Sequence, residues 1–112
     1  MTAQEYTEFV DKTGKTPDAL VGTPHCVSVM YAAMALAGEA GEAANEVKKV
    51  IHSESGVFSQ SRRDSLLLEL GDVIWYATKM GALLGYSLDD ILAANMVKLT
   101  ARAETAVALR GS

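Results

Sequence analysis

The chain has 112 residues and a mass of 11.9 kDa, which suits one compact domain and is too short for two independent hydrophobic cores. Apolar residues make up 49% and charged residues 21%, a balance typical of globular proteins and not of disordered or fibrous ones. The net charge of −4 argues against nucleic acid or an anionic membrane as the main partner, because both attract basic faces.

The number of cysteines and the hydropathy pattern further restrict the class of protein. Cys26 is the only cysteine, so neither an intrachain disulfide nor a cysteine-based zinc cluster can form. No apolar run reaches the roughly 20 residues that span a bilayer, and the N-terminus lacks the basic start and apolar stretch of a signal peptide. We therefore expect a cytoplasmic protein, with residues 1–112 forming a single domain.

The first half of the chain predicts two helices. The capping-box spacing at the N-terminus, Thr2 with Glu5, predicts a short amphipathic helix. Residues 13–23 contain Pro17 and two glycines and end just before Pro24, so they are interpreted as a connection. Thr23 is then expected to cap a long second helix, with a proline in its first position and no further proline before about Ile51.

The second half predicts two more helices. After a polar loop, Ser61 and Asp64 are expected to cap a third helix, which Gly85 would end. The run Ser87-Leu-Asp-Asp90 would open a fourth helix with an apolar tail. No alternating strand pattern competes, so the fold class is all-α, a bundle of four to five helices.

Apolar side chains outnumber the positions that so short a bundle can bury. The residues expected to need a second subunit are Val29, Met30, Met34, Met80, Leu83 and Leu84. We therefore expect association through helix faces, as a homodimer or a homotetramer.

Acidic residues recur at helical spacing on the second and third helices. Glu39, Glu42 and Glu46 fall at i, i+3 and i+7 on one stripe, separated by Ala and Gly. Glu69 and Asp72 fall at i and i+3 inside an apolar stretch. Because an ionised carboxylate is costly to bury without a cation, this pattern predicts a divalent metal site. Ligands that are all carboxylates favour Mg²⁺ or Mn²⁺ over zinc.

The acids allow two other interpretations. They could be solvated or paired with lysines, which suits Glu46 best, because Lys49 follows one turn later. A di-iron site usually needs Glu-x-x-His on two helices, and neither His25 nor His52 has a glutamate three residues before it. The di-iron alternative is therefore rejected.

The fourth helix carries a polar and basic stripe. Asn95, Lys98 and Arg102 fall at i, i+3 and i+7, between apolar residues. A lysine and an arginine opposite a metal-loaded acidic cluster suit a polyphosphate, although such a stripe is also typical of a solvated face.

Three segments together resemble the MazG-like nucleoside triphosphate pyrophosphohydrolases, all-α relatives of dimeric dUTPases and dCTP pyrophosphatases. They are LAGEAGEAANEVKK (36–49), LELGDVIWY (68–76) and NMVKLTAR (95–102). The family pattern is Glu-Glu-x-x-Glu followed by Glu-x-x-Asp. Here Gly38 stands in place of the first glutamate, which leaves the number of metal ions and the role of Glu46 open.

The resemblance implies that Glu39, Glu42, Glu69 and Asp72 hold Mg²⁺, with Mn²⁺ as an alternative. The reaction would cleave a (d)NTP between its α- and β-phosphates, giving a (d)NMP and pyrophosphate, in nucleotide-pool sanitation or reshaping. Either Glu39 or Glu42 would accept the proton of the attacking water.

Substrate-binding residues follow from their positions beside these motifs. Tyr76 lies one turn after Asp72 and could bond a phosphate. A base could stack on an aromatic ring or hydrogen-bond an amide, which offers a donor and an acceptor together. The candidates are Tyr76, Asn95, Lys98, Arg102, His25 and Trp75. Trp75 could instead be a buried core residue, and His25 a solvated residue at the start of a helix. The identity of the base and of the sugar stays open.

Two rival functions remain. A phosphoribosyl-nucleotide pyrophosphohydrolase of the same fold would differ only in substrate. A non-enzymatic helical oligomerisation module would bind no metal and would tolerate Glu42→Ala and Asp72→Ala.

Overall fold

The protein is described from a computed structural model over residues 1–111. Its elements are α1 (Ala3–Thr13), a short 3-10 turn (Asp18–Leu20), α2 (His25–Ser53), α3 (Gln60–Leu83) and α4 (Leu88–Gly111). No strand occurs within 1–111, and the predicted all-α fold is confirmed. None of the helices in this range is both long enough and apolar enough to cross a membrane.

Helices α2 and α3 form an antiparallel hairpin, which is the main packing unit of the chain. The loop between them is closed by an ion pair of 2.7 Å between Arg62 and Glu54. Gly56 has a φ of 75°, and its N–H donates to the carbonyl of Val50 at the end of α2. A residue with a side chain would be strained at that φ, so glycine allows the loop to fold back on the helix.

Helix α1 packs against α3 and the start of α4 at the other end of the hairpin. The indole N–H of Trp75 donates to Thr13 Oγ1 at 3.1 Å, and the N–H of Leu88 donates to Thr7 Oγ1 at 3.1 Å. Val10 of α1 and Thr78 of α3 are fully buried. These contacts place the end of α1 and the connection that follows it beside α3.

Three of the predicted helix signals are confirmed. Ser87 and Asp90 bond reciprocally, with backbone-to-side-chain distances of 2.9 and 3.2 Å. At the N-terminus, the N–H of Glu5 donates to Thr2 Oγ1 at 3.1 Å. Gly85, with a φ of 90°, follows the end of α3 as expected of a helix stop.

Two of the predicted caps are wrong. Thr23 does not cap α2, because its hydroxyl donates to the carbonyl of Leu20 at 2.6 Å and is used by the preceding turn. Helix α3 is capped by Ser59 and not by Ser61. Ser59 has extended backbone and accepts the N–H of Arg62 at 3.2 Å, so the helix begins at the first serine able to cap it.

The single chain leaves much apolar surface uncovered. Its radius of gyration is 17.9 Å, whereas a compact domain of this length has one of about 13 Å. Its accessible surface is 8068 Å², against roughly 5,900 Å² for a folded monomer of this mass. Residues 92–105 of α4 are all exposed. Among the side chains expected to need a partner, Met30, Met34 and Leu84 are exposed and Val29, Met80 and Leu83 are half-buried.

Candidate functional site

The acidic motifs of α2 and α3 face each other across the hairpin. Glu39, Glu69 and Asp72 each present one carboxylate oxygen, and the three oxygens lie within 4.8 Å of one another. Glu69 and Asp72 share one face of α3 because they lie three positions apart in the helix. The antiparallel direction of the hairpin brings that face to Glu39 of α2.

Glu42 lies beside this cluster and adds to its negative charge. The pKa of Glu69 is raised from 4.5 to about 6, first by burial and then by the charge of Glu42 and Glu39. Burial also raises the pKa of Glu39, with further contributions from Glu42 and Asp72. The charges that raise these two pKa values are all carboxylates, so the cluster repels itself unless a cation joins it.

Two carboxylate oxygens of the cluster are buried without a hydrogen-bond partner in the described chain: Glu39 Oε2 and Glu69 Oε2. Such atoms cost free energy in a fold unless a ligand contacts them. The donor set consists entirely of carboxylate oxygens, the type that Mg²⁺ and Mn²⁺ prefer. The residues therefore fit a hard divalent cation, which would contact the oxygens that the protein leaves unpaired.

Glu46, the third glutamate of the stripe, has a different environment. Ser65 of α3 donates to Glu46 Oε1 at 2.7 Å, and Glu46 helps to raise the pKa of Arg62. The ion pair with Lys49 that the sequence spacing allows does not occur among residues 1–111. Glu46 is thus partly satisfied by α3, although its Oε2 atom is buried without a partner.

An open groove lined with aromatic rings adjoins the acids. Its walls include Tyr6 and Phe9 of α1 and Trp75 and Tyr76 of α3, next to Glu39 and Asp72. The rings of Trp75 and Tyr76 meet edge to face with centroids 5.0 Å apart. Burial raises the pKa of Tyr76, as do the charges of Tyr31, Glu39 and Asp72.

The contribution of α1 to this groove was not predicted. Tyr6 lines the groove together with Glu39 and Asp72, and burial and the charge of Asp72 raise the pKa of its hydroxyl. Tyr6 and Phe9 lie three positions apart on an amphipathic helix, and this spacing was the sequence signal that could have identified them. The sequence does not indicate where α1 docks.

The remaining candidates lie away from the acids. Asn95, Lys98 and Arg102 are exposed on α4, which packs against α1 and α3, so one chain does not bring them to the cluster. His25 lies at the start of α2, where its Nε2 atom is 2.6 Å from the carbonyl oxygen of Leu83. That hydrogen bond ties the beginning of α2 to the end of α3.

Known proteins similar to this chain give the family. The sequence profile of the MazG nucleotide pyrophosphohydrolase domain matches residues 30–107, which include both acidic motifs and most of α4. The Gene 37 protein of Mycobacterium phage L5 is 40% identical over 94 residues, covering 81% of this chain and 82% of that protein. No solved structure matches the chain. The profile match covers more than half of the residues, and the chain belongs to the MazG nucleotide pyrophosphohydrolase domain family.

Proposed function

We propose that the protein is a Mg²⁺-dependent nucleoside triphosphate pyrophosphohydrolase, which converts a (d)NTP to a (d)NMP and pyrophosphate. One observation carries the proposal. In a chain of the MazG family, Glu39, Glu69 and Asp72 converge, and two of their buried oxygens have no partner in the described protein.

Glu39, Glu69 and Asp72 would hold the metal, and Glu42, whose charge acts on Glu39 and Glu69, is proposed as a further ligand. When bound, Mg²⁺, or Mn²⁺ in its place, neutralises phosphate oxygens and lowers the pKa of a coordinated water. Glu39 and Glu69 contribute buried oxygens, whereas Asp72 and Glu42 are exposed.

Glu42 is the better of the two proposed proton acceptors. Glu39 belongs to the group of converging oxygens, whereas Glu42 stands outside that group and beside it. A carboxylate that is not fully used by the metal is free to accept a proton from the attacking water. The water oxygen then bonds to the α-phosphorus, and the bond to the bridging oxygen breaks as pyrophosphate leaves.

Tyr76 is proposed to bind the substrate next to the acids. It lines the aromatic groove together with Glu39 and Asp72, and its hydroxyl can donate to a phosphate oxygen. Trp75 lines the same groove and offers a ring face or edge to a base.

Lys98 and Arg102 are proposed to bind the triphosphate tail from a second copy of the chain. The uncovered apolar surface and the exposure of α4 support a homodimer or homotetramer. Replacing Met96 on exposed α4 with glutamate should weaken association and lower activity while every acid stays intact. Light scattering during size-exclusion chromatography would give the mass, and a fully active stable monomer would contradict this assembly.

The chemistry is tested by measuring pyrophosphate release with Mg²⁺ across the common NTPs and dNTPs. Release that is abolished by EDTA or by Glu42→Gln supports the proposal. Glu8→Gln is the matched control, because Glu8 is exposed on α1 and bonds only to Gln4 in the described chain. Release by the Glu8 variant should match that of the wild type.

If no nucleotide in this panel releases pyrophosphate, the second candidate substrate class, phosphoribosyl-nucleotides, would be tested next. If Mg²⁺ also left the melting temperature unchanged, the acids would have no metal to hold. The non-enzymatic oligomerisation module would then be the better description.

A further inference from the structure

A second, more enclosed space lies beyond the aromatic groove. It is a cavity of about 100 Å³ between the connection after α1 and the hairpin of α2 and α3. Its polar lining consists of Lys15, Ser28, Tyr31, Tyr76 and Lys79, together with Thr16. Its other walls are apolar and include Leu20, Ala32 and Leu83.

The cavity adjoins the proposed catalytic site. Trp75 and Tyr76 line both the cavity and the groove that contains Glu39 and Asp72. Lys79 follows Asp72 by seven residues on α3, a distance of about 10 Å along the helix axis. A nucleoside spans a similar length, so an α-phosphate at the acids would direct its base towards the cavity.

The walls suit a flat ring better than a phosphate group. Trp75 and Tyr76 offer aromatic surface, and Leu20, Ala32 and Leu83 are aliphatic. A phosphate dianion against such walls would lose hydration that apolar side chains do not replace. Ligand sites for ring systems typically combine this kind of lining with a few polar groups that fix the orientation. The small volume further favours one ring over two fused rings.

Lys79 supplies the directional polar group. It is half-buried, and no carboxylate within residues 1–111 forms an ion pair with it. Its ammonium lies at the C-terminal end of α1, where a Cβ on Gly14 would be 3.1 Å from Lys79 Nζ. The negative end of the α1 dipole favours a cation at this point. An ammonium has three donors and no acceptor, so it selects a carbonyl oxygen and disfavours an amino group.

We propose that this cavity binds the base of the substrate and that Lys79 selects a pyrimidine with two carbonyl groups, uracil or thymine. The hydroxyls of Ser28 and Tyr31 can accept the ring N–H between those carbonyls. Cytosine and adenine present an exocyclic amino group. This group is a hydrogen-bond donor, as is the Lys79 ammonium, so the two would not bond to each other. This inference rests on the proposed function, because it assumes that a nucleotide binds at the acids.

The indole N–H of Trp75 reports binding without any catalysis. Trp75 is the only tryptophan, so it gives one indole signal in a proton–nitrogen correlation spectrum. The protein would be titrated in the presence of Mg²⁺ with UMP, dTMP, CMP and AMP, which have no anhydride bond to cleave. We expect UMP and dTMP to shift this signal with dissociation constants at least about tenfold lower than those of CMP and AMP, the difference expected for one charge-assisted hydrogen bond.

Lys79→Met should remove this difference by weakening UMP and dTMP binding. Lys49→Met is the matched control, because Lys49 is exposed at the far end of α2 and should leave the discrimination unchanged. Equal affinity for all four nucleotides, or discrimination that survives Lys79→Met, would overturn the proposal. So would a Lys79-dependent shift caused by inorganic pyrophosphate, since the cavity would then be a phosphate site.

Pyrophosphate release separates this inference from the proposed function. Release from dUTP and dTTP in preference to dCTP and dATP, lost in Lys79→Met, would support both. Efficient release without preference for a base would overturn the base selection alone. No metal-dependent release from any nucleotide would overturn the proposed function, whatever the monophosphates bind.

Discussion

The α2–α3 hairpin treats its acidic residues differently near its loop and midway along its helices. Near the loop, Glu54 forms an ion pair with Arg62, and Glu46 accepts a hydrogen bond from Ser65 at one oxygen while its other oxygen has no partner in the described chain. Midway along the helices, Glu39 and Glu69 have oxygens without partners in the described chain and are, in addition, surrounded by further carboxylates. All four acids are glutamates of the same hairpin, but the groups that surround them differ.

This difference separates acids that hold the fold together from acids that are available to a ligand. A carboxylate with a donor from the protein stabilises the folded state. A cluster of carboxylates without a cation destabilises it, because the charges repel each other and burial removes water. Proteins commonly accept such a loss of stability at functional sites.

The largest expected effect comes from neutralising one acid of the unpaired cluster. Glu69→Gln should lower pyrophosphate release by more than about a hundredfold, because changes even to the partners of metal ligands cost 10- to 100-fold. The same change should raise the melting temperature of the EDTA-treated protein, because it removes repulsion with Glu39 and Glu42. Steady-state kinetics and thermal denaturation measure the two effects.

The variant Asp72→Asn should repeat this pattern at the other acid of α3. An active variant, or one that is destabilised in EDTA, would show that these acids support the fold and not a metal. Glu8→Gln on α1 should change neither quantity.

Adding the metal should produce the next largest effect. At a hundredfold excess over its dissociation constant, Mg²⁺ should raise the free energy of unfolding by about 2.7 kcal/mol. For a domain of this size the melting temperature should rise on the order of 10 °C. Scanning calorimetry with and without Mg²⁺ would show this shift in the wild type and its loss in Glu69→Gln. An equal shift in both would place the metal elsewhere.

Changing pH should have a smaller effect of defined sign. The pKa of Glu69 is about 6 in the folded protein and 4.5 in its ordinary state, so the folded chain takes up a proton at higher pH. In EDTA, Glu69 should therefore add stability as the pH falls from about 7 to about 5, and that stability is lost again as the pH rises through about 6.

Comparing wild-type protein with Glu69→Gln isolates this contribution. The difference between their melting temperatures should be larger at about pH 7 than at about pH 5. With Mg²⁺ present, the wild type should lose stabilisation by the metal as the pH falls, because protons compete for the same oxygen atoms. A difference that is independent of pH would contradict the raised pKa of Glu69.

The smallest expected effect belongs to the ion pair near the loop of the hairpin. Arg62→Met removes the ion pair with Glu54, in which both side chains are about one-third exposed or less. Partly solvated pairs contribute little, so urea denaturation should show only a slight fall in the free energy of unfolding. Pyrophosphate release should stay at the wild-type level, and a large loss of activity would show that the ion pair and the acidic cluster are coupled.

Much of the fold and part of the site could be predicted from the sequence because both depend on local spacing. The helix periodicity and the acidic i, i+3 pairs fix which side chains share a face, and an antiparallel hairpin then brings the two acidic faces together. Glu39, Glu69 and Asp72 were identified for this reason. Ser59 was missed as a cap because two serines nearby have suitable spacing and only the backbone distinguishes them.

Contacts between distant segments could not be predicted. The sequence gives no distance between Trp75 and Thr13, or between Lys79 and Gly14, because each pair is joined by the docking of α1. The cavity after α1 depends on the same docking. The helix that carries Lys98 and Arg102 was predicted correctly. Both side chains are exposed in one chain, so any contact they make with the substrate would depend on how several chains assemble.

Gly38 has a consequence for how this site can change during evolution. It stands one turn before Glu42, and no atom lies within 4 Å of the position that its Cβ would occupy. Some glycine and glutamate codons differ by a single base, so one mutation would introduce another carboxylate without a steric clash. Its cost would be electrostatic and would depend on how much metal the cell supplies. Related lineages can therefore gain or lose this acidic residue in one step, while the packing of the hairpin is preserved.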